Sequence, residues 1–294
     1  MKIISNLFYN KGVVIDFRNE TNFFKKISID KIIEYFELYG VILFKNFKLK
    51  PEDFIKFTDN FTKSYSVDAI RRPSRFNQKN VRNVDSGFHE IPLHSESSFT
   101  TTWPEIIWFM CVSSLKDSSA TTICDGISVW NNLSQATKKF FLKNPLIFNN
   151  SIDLGIKKKI KKKKWFLDYP GTYDAFINWK NGKLNYKLMK FLVHDSRINN
   201  MKCFANHLLS VSDEGQIVSC TLPNGNEIPK KITSEIRNVT SKLTYDHKWS
   251  SNDLLMIDNK RFLHGRRAIS RDDKRDIINV QTLQANFGYG STTR

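Results

Sequence analysis

Four short, nearly unbroken apolar runs constrain this chain more than any other feature. They are Val41-Ile42-Leu43-Phe44, Glu105 through Val112, Asp253 through Asp258, and Ile277 to Leu283 with mixed alternation. Runs of this length bounded by turn residues read as buried strands, since helices in a core usually need more residues. Between them lie helical patterns. Residues 29, 32, 33 and 36 are apolar behind a Ser28 or Asp30 cap, and Gly40 ends that helix. Pro51 to Phe61, residues 134–142, and the spacing Ile232, Ile236, Val239, Leu243 after Ile228-Pro229 read as further helices. From Val81 to Trp130 the pattern is one of short strands separated by turns, and no internal repeat is visible.

Length and composition fit a globular protein. At 294 residues with 23 Phe, the chain can fill one large core, and we expect a single domain over 1–294 with an insertion, a candidate substrate lid, at about 145–229. The beginning of the chain lacks a signal-like apolar run, and no stretch reaches the length of a membrane helix, so a cytoplasmic location is expected. Cys111, Cys124, Cys203 and Cys220 are too far apart for a metal-binding or redox pair and read as reduced packing residues. The net charge of +17 invites an acidic partner or nucleic acid. The excess is mostly Lys in a chain also rich in Asn, Ile and Phe, which fits compositional bias equally well. The lysine run at 157–164 reads as a solvated face.

Two metal-competent side chains, His94 and Glu96, are separated by one residue in Leu93-His94-Ser95-Glu96. On an extended strand both would project from the same face and could share one ion. By itself such a pair is equally a surface hydrogen-bonding couple. A third ligand would complete the two-histidine, one-carboxylate face that leaves positions open at a non-haem Fe(II). The segment Asp258-Asn259-Lys260-Arg261-Phe262-Leu263-His264-Gly265-Arg266, followed by Arg271 and Arg275, offers one.

Taken with Trp103-Pro104-Glu105-Ile106-Ile107-Trp108-Phe109 and Thr121 through Asp125, these motifs resemble, in order from about residue 35 to 285, the TauD/TfdA family of Fe(II)/2-oxoglutarate dioxygenases. The likeness is weakest between 145 and 229. It implies a mainly β protein with flanking helices, built on a double-stranded β-helix, the jelly-roll or cupin-like core. It implies Fe(II) held by His94, Glu96 and His264, with 2-oxoglutarate and dioxygen as cosubstrates. Arg275, eleven positions after the distal histidine, would pair with the far carboxylate of 2-oxoglutarate, with Arg271 as the alternative. Thr121, four residues before Asp125, would touch the same cosubstrate, although Ser118-Ser119 stands where the family usually has Gly-Gly. Halogenating relatives replace the carboxylate with a small residue, so Glu96 implies oxygenation. Sulfonate-oxidising relatives carry a second arginine where this chain has Asn279, which disfavours a taurine-like substrate.

Other candidates are less specific. Arg72, in a loop before the ligand segment, could meet a substrate carboxylate or be solvated; Asn206 could line the pocket or be structural; Phe99 is a candidate pocket wall among aromatics that otherwise read as core. His89, His194, His207 and His247 read as surface or satisfied structural residues, with His89 near enough in sequence to line the pocket. The expected activity is hydroxylation, desaturation or ring closure of a small molecule of specialised metabolism, an amino acid or a derivative of one, free or tethered to an acidic carrier protein. Two readings compete with it: an oxygenase acting on modified nucleic acid, and a non-catalytic cupin-like binding protein.

Overall fold

The computed structural model describes residues 2–7, 11–18, 27–66, 72–84, 87–100, 102–114, 119–153, 172–180, 183–198, 200–211 and 217–288. Ser118 and the lysine run at 157–164 lie outside the described residues. All four apolar runs pair side by side. Leu254–Asp258 lies between Val41–Lys45 and Ile106–Ser113, and Asp276–Ala285 pairs with the other edge of Ile106–Ser113. These four strands are the middle of a nine-stranded sheet, antiparallel except where Gly12–Asp16 joins Val41–Lys45 in parallel.

The runs are continuously apolar because both faces of this sheet are buried. Ile42, Phe44, Ile106, Trp108, Met110, Leu254, Met256, Ile278 and Val280 point to one side. There they meet Ile32 and Phe36 of the Ile29–Tyr39 helix and Phe54 and Phe57 of the Phe54–Asp59 helix. The alternate residues, Val41, Leu43, Ile107, Phe109, Cys111, Leu255, Ile257 and Ile277, point to the other side and meet Ile123, Trp249 and Phe262. Those last residues belong to, or follow, a second antiparallel sheet in the order Tyr245–His247, Thr121–Asp125, Phe262–Arg266, Ile91–His94. Two sheets closed over one apolar interior make the expected jelly roll.

The first helix is capped as the sequence indicated: Ser28 Oγ accepts from the Lys31 N–H, and Gly40 ends it at φ 74°. A Cβ at Gly40 would lie 2.7 Å from the Phe262 ring, so this left-handed turn requires glycine twice over. The stretch from Pro51 divides into a 3-10 turn, Pro51–Asp53, and the short helix. The outer face of the second sheet, through Cys124 and Leu263, packs on the helices Gly126–Asn132, Gln135–Lys143 and Lys230–Leu243.

The segment 145–229 is more regular than its sequence suggests. Leu146–Asp153, Thr172–Lys180, Lys183–Lys190 and Ile217–Thr221 form their own four-stranded antiparallel sheet. Leu146, Phe148, Leu192, Phe204 and Leu208 share a core with Phe141, Ile236 and Leu263. Among the described residues no helix is long and apolar enough to cross a membrane, and all four cysteines are free.

Candidate metal centre

Strand alternation delivers the first two candidate ligands. In Phe262–Arg266, Phe262 enters the interior between the sheets and Leu263 faces the helices, so His264 turns inward again. It pairs directly across the ladder with His94, the last residue of Ile91–His94, and with Ile123 on its other side. Gly265 permits this close packing. A Cβ there would lie 2.5 Å from the Ile91 carbonyl oxygen and 2.8 Å from Thr122 Oγ1. The two imidazole centroids are 4.6 Å apart.

Glu96 departs from the expectation of an extended strand. The strand stops at His94, and Glu96 sits in a turn whose next residue, Ser97, has φ 54°. What brings its carboxylate back to the histidines is the side chain of Asn259. Its Oδ1 accepts the Glu96 N–H at 2.8 Å, and its Nδ2 donates to the Glu96 carbonyl at 3.0 Å and the Pro104 carbonyl at 2.9 Å. The carboxamide thus replaces a neighbouring strand for one residue. Ser95 Oγ donates to the Asn259 carbonyl and accepts from the Trp103 indole, fixing the same turn.

The ligand atoms of His94, Glu96 and His264 all lie within 4.8 Å of one another. His94 Nδ1 is 2.8 Å from the Pro92 carbonyl, which can only accept, so the ring proton sits on Nδ1 and Nε2 is left with its lone pair 3.8 Å from Glu96 Oε2. Burial alone would raise the Glu96 carboxyl; the neighbouring His94 ring and the Arg72 charge outweigh it and hold Glu96 well below the usual range. Burial pushes His264 well below its ordinary value. An ionised carboxylate and neutral imidazoles are the protonation states that a divalent cation needs. Among the described residues His264 Nδ1 is buried with no hydrogen-bond partner, an orphan for which an ion at this ring would account. The residues present therefore fit a 2-His-1-carboxylate metal site.

These three side chains share a narrow inner cavity with Arg72, Phe109, Thr121, Arg266 and Arg275. It opens through Arg72, Val84, Ile91, Arg266, Arg275 and Ile277 into an outer cavity of about 970 Å³. Arg275 is held where it lines both. Its Nη1 donates to the Ser119 carbonyl at 2.6 Å, and its buried Nε has no partner among the described residues. Burial and the nearby Arg266 charge lower it to about 10, which leaves it cationic at neutral pH. A partly buried cation facing a cavity favours an anionic ligand.

Several sequence expectations resolve differently. Arg271 is exposed and lines neither cavity. Asp273 in the same loop accepts from the backbone N–H of both Ser119 and Arg275, and so turns Arg275 inward. Arg72 is partly buried, with Nη2 4.0 Å from Glu96 Oε2. Asn206 is committed to its own chain: Nδ2 donates to Leu192 O, Oδ1 accepts from Leu208 N–H, and its carbonyl accepts from Ser95 N–H. Phe99 lines neither cavity and instead meets His207 edge-on at 4.6 Å. Asn279, on the Asp276–Ala285 strand two residues beyond Ile277, is buried with both amide atoms unpartnered and lines neither cavity. His89 does line the outer one.

Sequence reasoning missed His207, whose ring stacks 4.8 Å from His94 and whose Nδ1 is 3.0 Å from Ser95 O. Burial lowers it to about 3, so it is a neutral wall of the centre. No local signal could have found it, because its contacts are over a hundred residues away in sequence. Arg266 was quoted only as part of a motif; its Nη2 donates to the carbonyls of Gly87 and His89 and anchors the cavity rim.

Comparison with known proteins agrees with this architecture. The family described as "Taurine catabolism dioxygenase TauD, TfdA family" matches residues 9–281. A curated relative, 3-((Z)-2-isocyanoethenyl)-1H-indole synthase of Fischerella ambigua, is 20% identical over 196 residues, 66% of this chain; the match spans 63% of that relative's own length. PvcB from Pseudomonas aeruginosa superposes with a TM-score of 0.63 at 13% identity, over 92% of this chain and 85% of that one. A second structure of PvcB, described as an Fe, alpha-ketoglutarate dependent oxygenase from an isonitrile synthetic pathway, gives 0.60 at 14% identity with coverage of 92% and 85%. At such identities the structural likeness shows the shared fold.

Proposed function

Because the chain belongs to the TauD/TfdA family of dioxygenases, we propose that it is an Fe(II)- and 2-oxoglutarate-dependent oxygenase of specialised metabolism. It hydroxylates, desaturates or cyclises an amino acid or a derivative of one. The observation that supports this most is the convergence of His94, Glu96 and His264 with Arg275 and Thr121 on one cavity. The isonitrile-related names of the relatives support the metabolic setting.

In this reading His94, Glu96 and His264 would hold Fe(II), Arg275 would pair with the far carboxylate of 2-oxoglutarate, and Thr121 would touch the same cosubstrate. When bound, iron, 2-oxoglutarate and dioxygen would supply the oxidising power, the cosubstrate being consumed to succinate and carbon dioxide. The chain's own residues orient and exclude water. Phe109, edge-on to His264 at 5.4 Å, and Val84, Ile91 and Ile277 dry the cavity. Arg72 lies at the junction of the two cavities, within 4.0 Å of a metal ligand, where it can hold a substrate carboxylate near the reacting centre. Ser210 and Val211 bring the 145–229 segment to the outer wall, the position of a lid. Retention of Glu96 leaves no place for chloride, and Asn279 in place of a second arginine argues against sulfonates.

Anaerobic addition of Fe(II) and 2-oxoglutarate is expected to give the weak visible band of the chelate, and air to release succinate even without substrate. The reading fails if neither appears and Glu96→Ala behaves like the parent. The basic surface supports delivery of the substrate, in the cytoplasm, on an acidic carrier protein. Equal turnover of free and carrier-bound substrate would remove that support. A steep salt-dependent shift with DNA or RNA would point to nucleic acid instead.

A further inference from the structure

Thr121 lines the inner cavity together with Arg275, yet its hydroxyl already has one partner. The Trp249 indole Nε1–H donates to Thr121 Oγ1 at 2.9 Å, and both residues are buried. An indole N–H can only donate, whereas a threonine oxygen can both donate and accept. The bond therefore occupies a lone pair and leaves the hydroxyl proton to be given elsewhere; among the described residues no acceptor takes it. We propose that Trp249 is a positioning residue that makes the Thr121 hydroxyl a donor aimed into the cavity, toward the carboxylate of 2-oxoglutarate. This inference rests on the 2-oxoglutarate reading above.

The surroundings fix that polarity. His247 pairs with Thr121 across neighbouring strands and meets the Trp249 ring edge-on at 4.5 Å, so the indole is braced from behind. Trp249 also packs in the interior with Ile123 and Phe109. Two residues before Thr121, the Ser119 carbonyl holds Arg275, whose buried Nε has no partner among the described residues. The Thr121 hydroxyl and the Arg275 guanidinium line one cavity. A carboxylate, which only accepts, satisfies both; a group that must donate satisfies neither.

The test is a double-mutant cycle read as the Kd of 2-oxoglutarate for the Mn(II)-loaded protein by calorimetry, so that no turnover is involved. A hydrogen bond to a charged group is worth about tenfold or more in affinity. Thr121→Val is expected to weaken binding by about that factor and Thr121→Ser to restore most of it. Trp249→Phe, which keeps a ring against His247, is expected to weaken binding by roughly three- to tenfold, and the double variant to be no weaker than Thr121→Val alone. If Trp249→Phe is poorly folded, β-(3-benzothienyl)alanine at 249 keeps the bicyclic shape and lacks the N–H. In turnover the loss should appear in KM for 2-oxoglutarate with kcat nearly unchanged. Wild-type affinity in the Trp249 variants, or additive losses in the cycle, would overturn the proposal. If the Mn(II)-loaded wild type itself takes up no 2-oxoglutarate, the functional reading fails and this inference with it.

Discussion

Asn259→Ala is the most direct way to ask whether the Glu96 turn is held by a side chain rather than by a strand. The wild-type carboxamide is fully buried and makes three bonds of 2.8–3.0 Å, to the Glu96 N–H, the Glu96 carbonyl and the Pro104 carbonyl. Truncation leaves one donor and two acceptors unpartnered. At about 1 kcal/mol net for each bond the loss is about 3 kcal/mol. For a chain of this size that lowers Tm by roughly 6–12 °C. The more telling effect is on the metal. Loss of a group that orients a ligand usually costs about 10- to 100-fold in metal affinity. The extra stability conferred by a saturating excess of Mn(II), which grows with the logarithm of concentration over Kd, should therefore shrink by about 1.4–2.7 kcal/mol. Urea unfolding with and without Mn(II) measures both terms. If the metal-free protein is destabilised and the Mn(II) increment is unchanged, Asn259 only supports the fold and does not hold Glu96 in place.

Three further outcomes follow from the same structure. Arg275→Gln is expected to raise KM for 2-oxoglutarate by at least tenfold by removing a charged, bidentate partner, while Arg271→Ala, on the exposed side of that loop, leaves it unchanged; steady-state kinetics on both would expose a wrong assignment as equal effects. Gly265→Ala forces a methyl against the Ile91 carbonyl and Thr122 and should destabilise the protein by about 1–3 kcal/mol while spreading the His94–His264 pair, seen as weaker Mn(II) binding; a wild-type Mn(II) titration would show that the strands can yield. Burial pushes the Asp253 carboxyl up from 3.8 to about 6, against the opposing pull of Lys45 and the Ser250 N–H. A raised folded pKa means stability fully present below the ordinary value and lost as pH rises through about 6, here about 3 kcal/mol. Asp253→Asn should remove that fall between pH 4 and 6 in urea titrations, and an unchanged slope would show that another group titrates there.

Much of the framework was legible in the sequence because it depends on local periodicity. The apolar runs announced strands buried on both faces, and Ser28 and Gly40 marked the ends of a helix whose capping atoms sit within a few residues of one another. The candidate metal ligands were legible as motifs: the two-residue spacing of His94 and Glu96 and the resemblance of the Asp258–Arg266 stretch to the TauD/TfdA family are properties of short segments. The sequence did mislead on Glu96, where periodicity implied a strand and the chain instead turns, because the controlling partner, Asn259, lies 163 residues away.

Tertiary structure alone decided the rest, since those features depend on contacts between distant segments. It placed Arg275, and not Arg271, on the cavity wall through the Asp273 side chain, which reaches back to Ser119 across 154 residues. It placed His207 beside His94 and moved Arg72 out of an ambiguous loop to the edge of the metal centre. It turned the weakly patterned 145–229 segment into a packed sheet, and it set Trp249 behind Thr121. One chain of 294 residues therefore announces by its local patterns which chemistry it can hold, but the aim of each side chain in the cavity is set by the closure of two sheets over a shared interior.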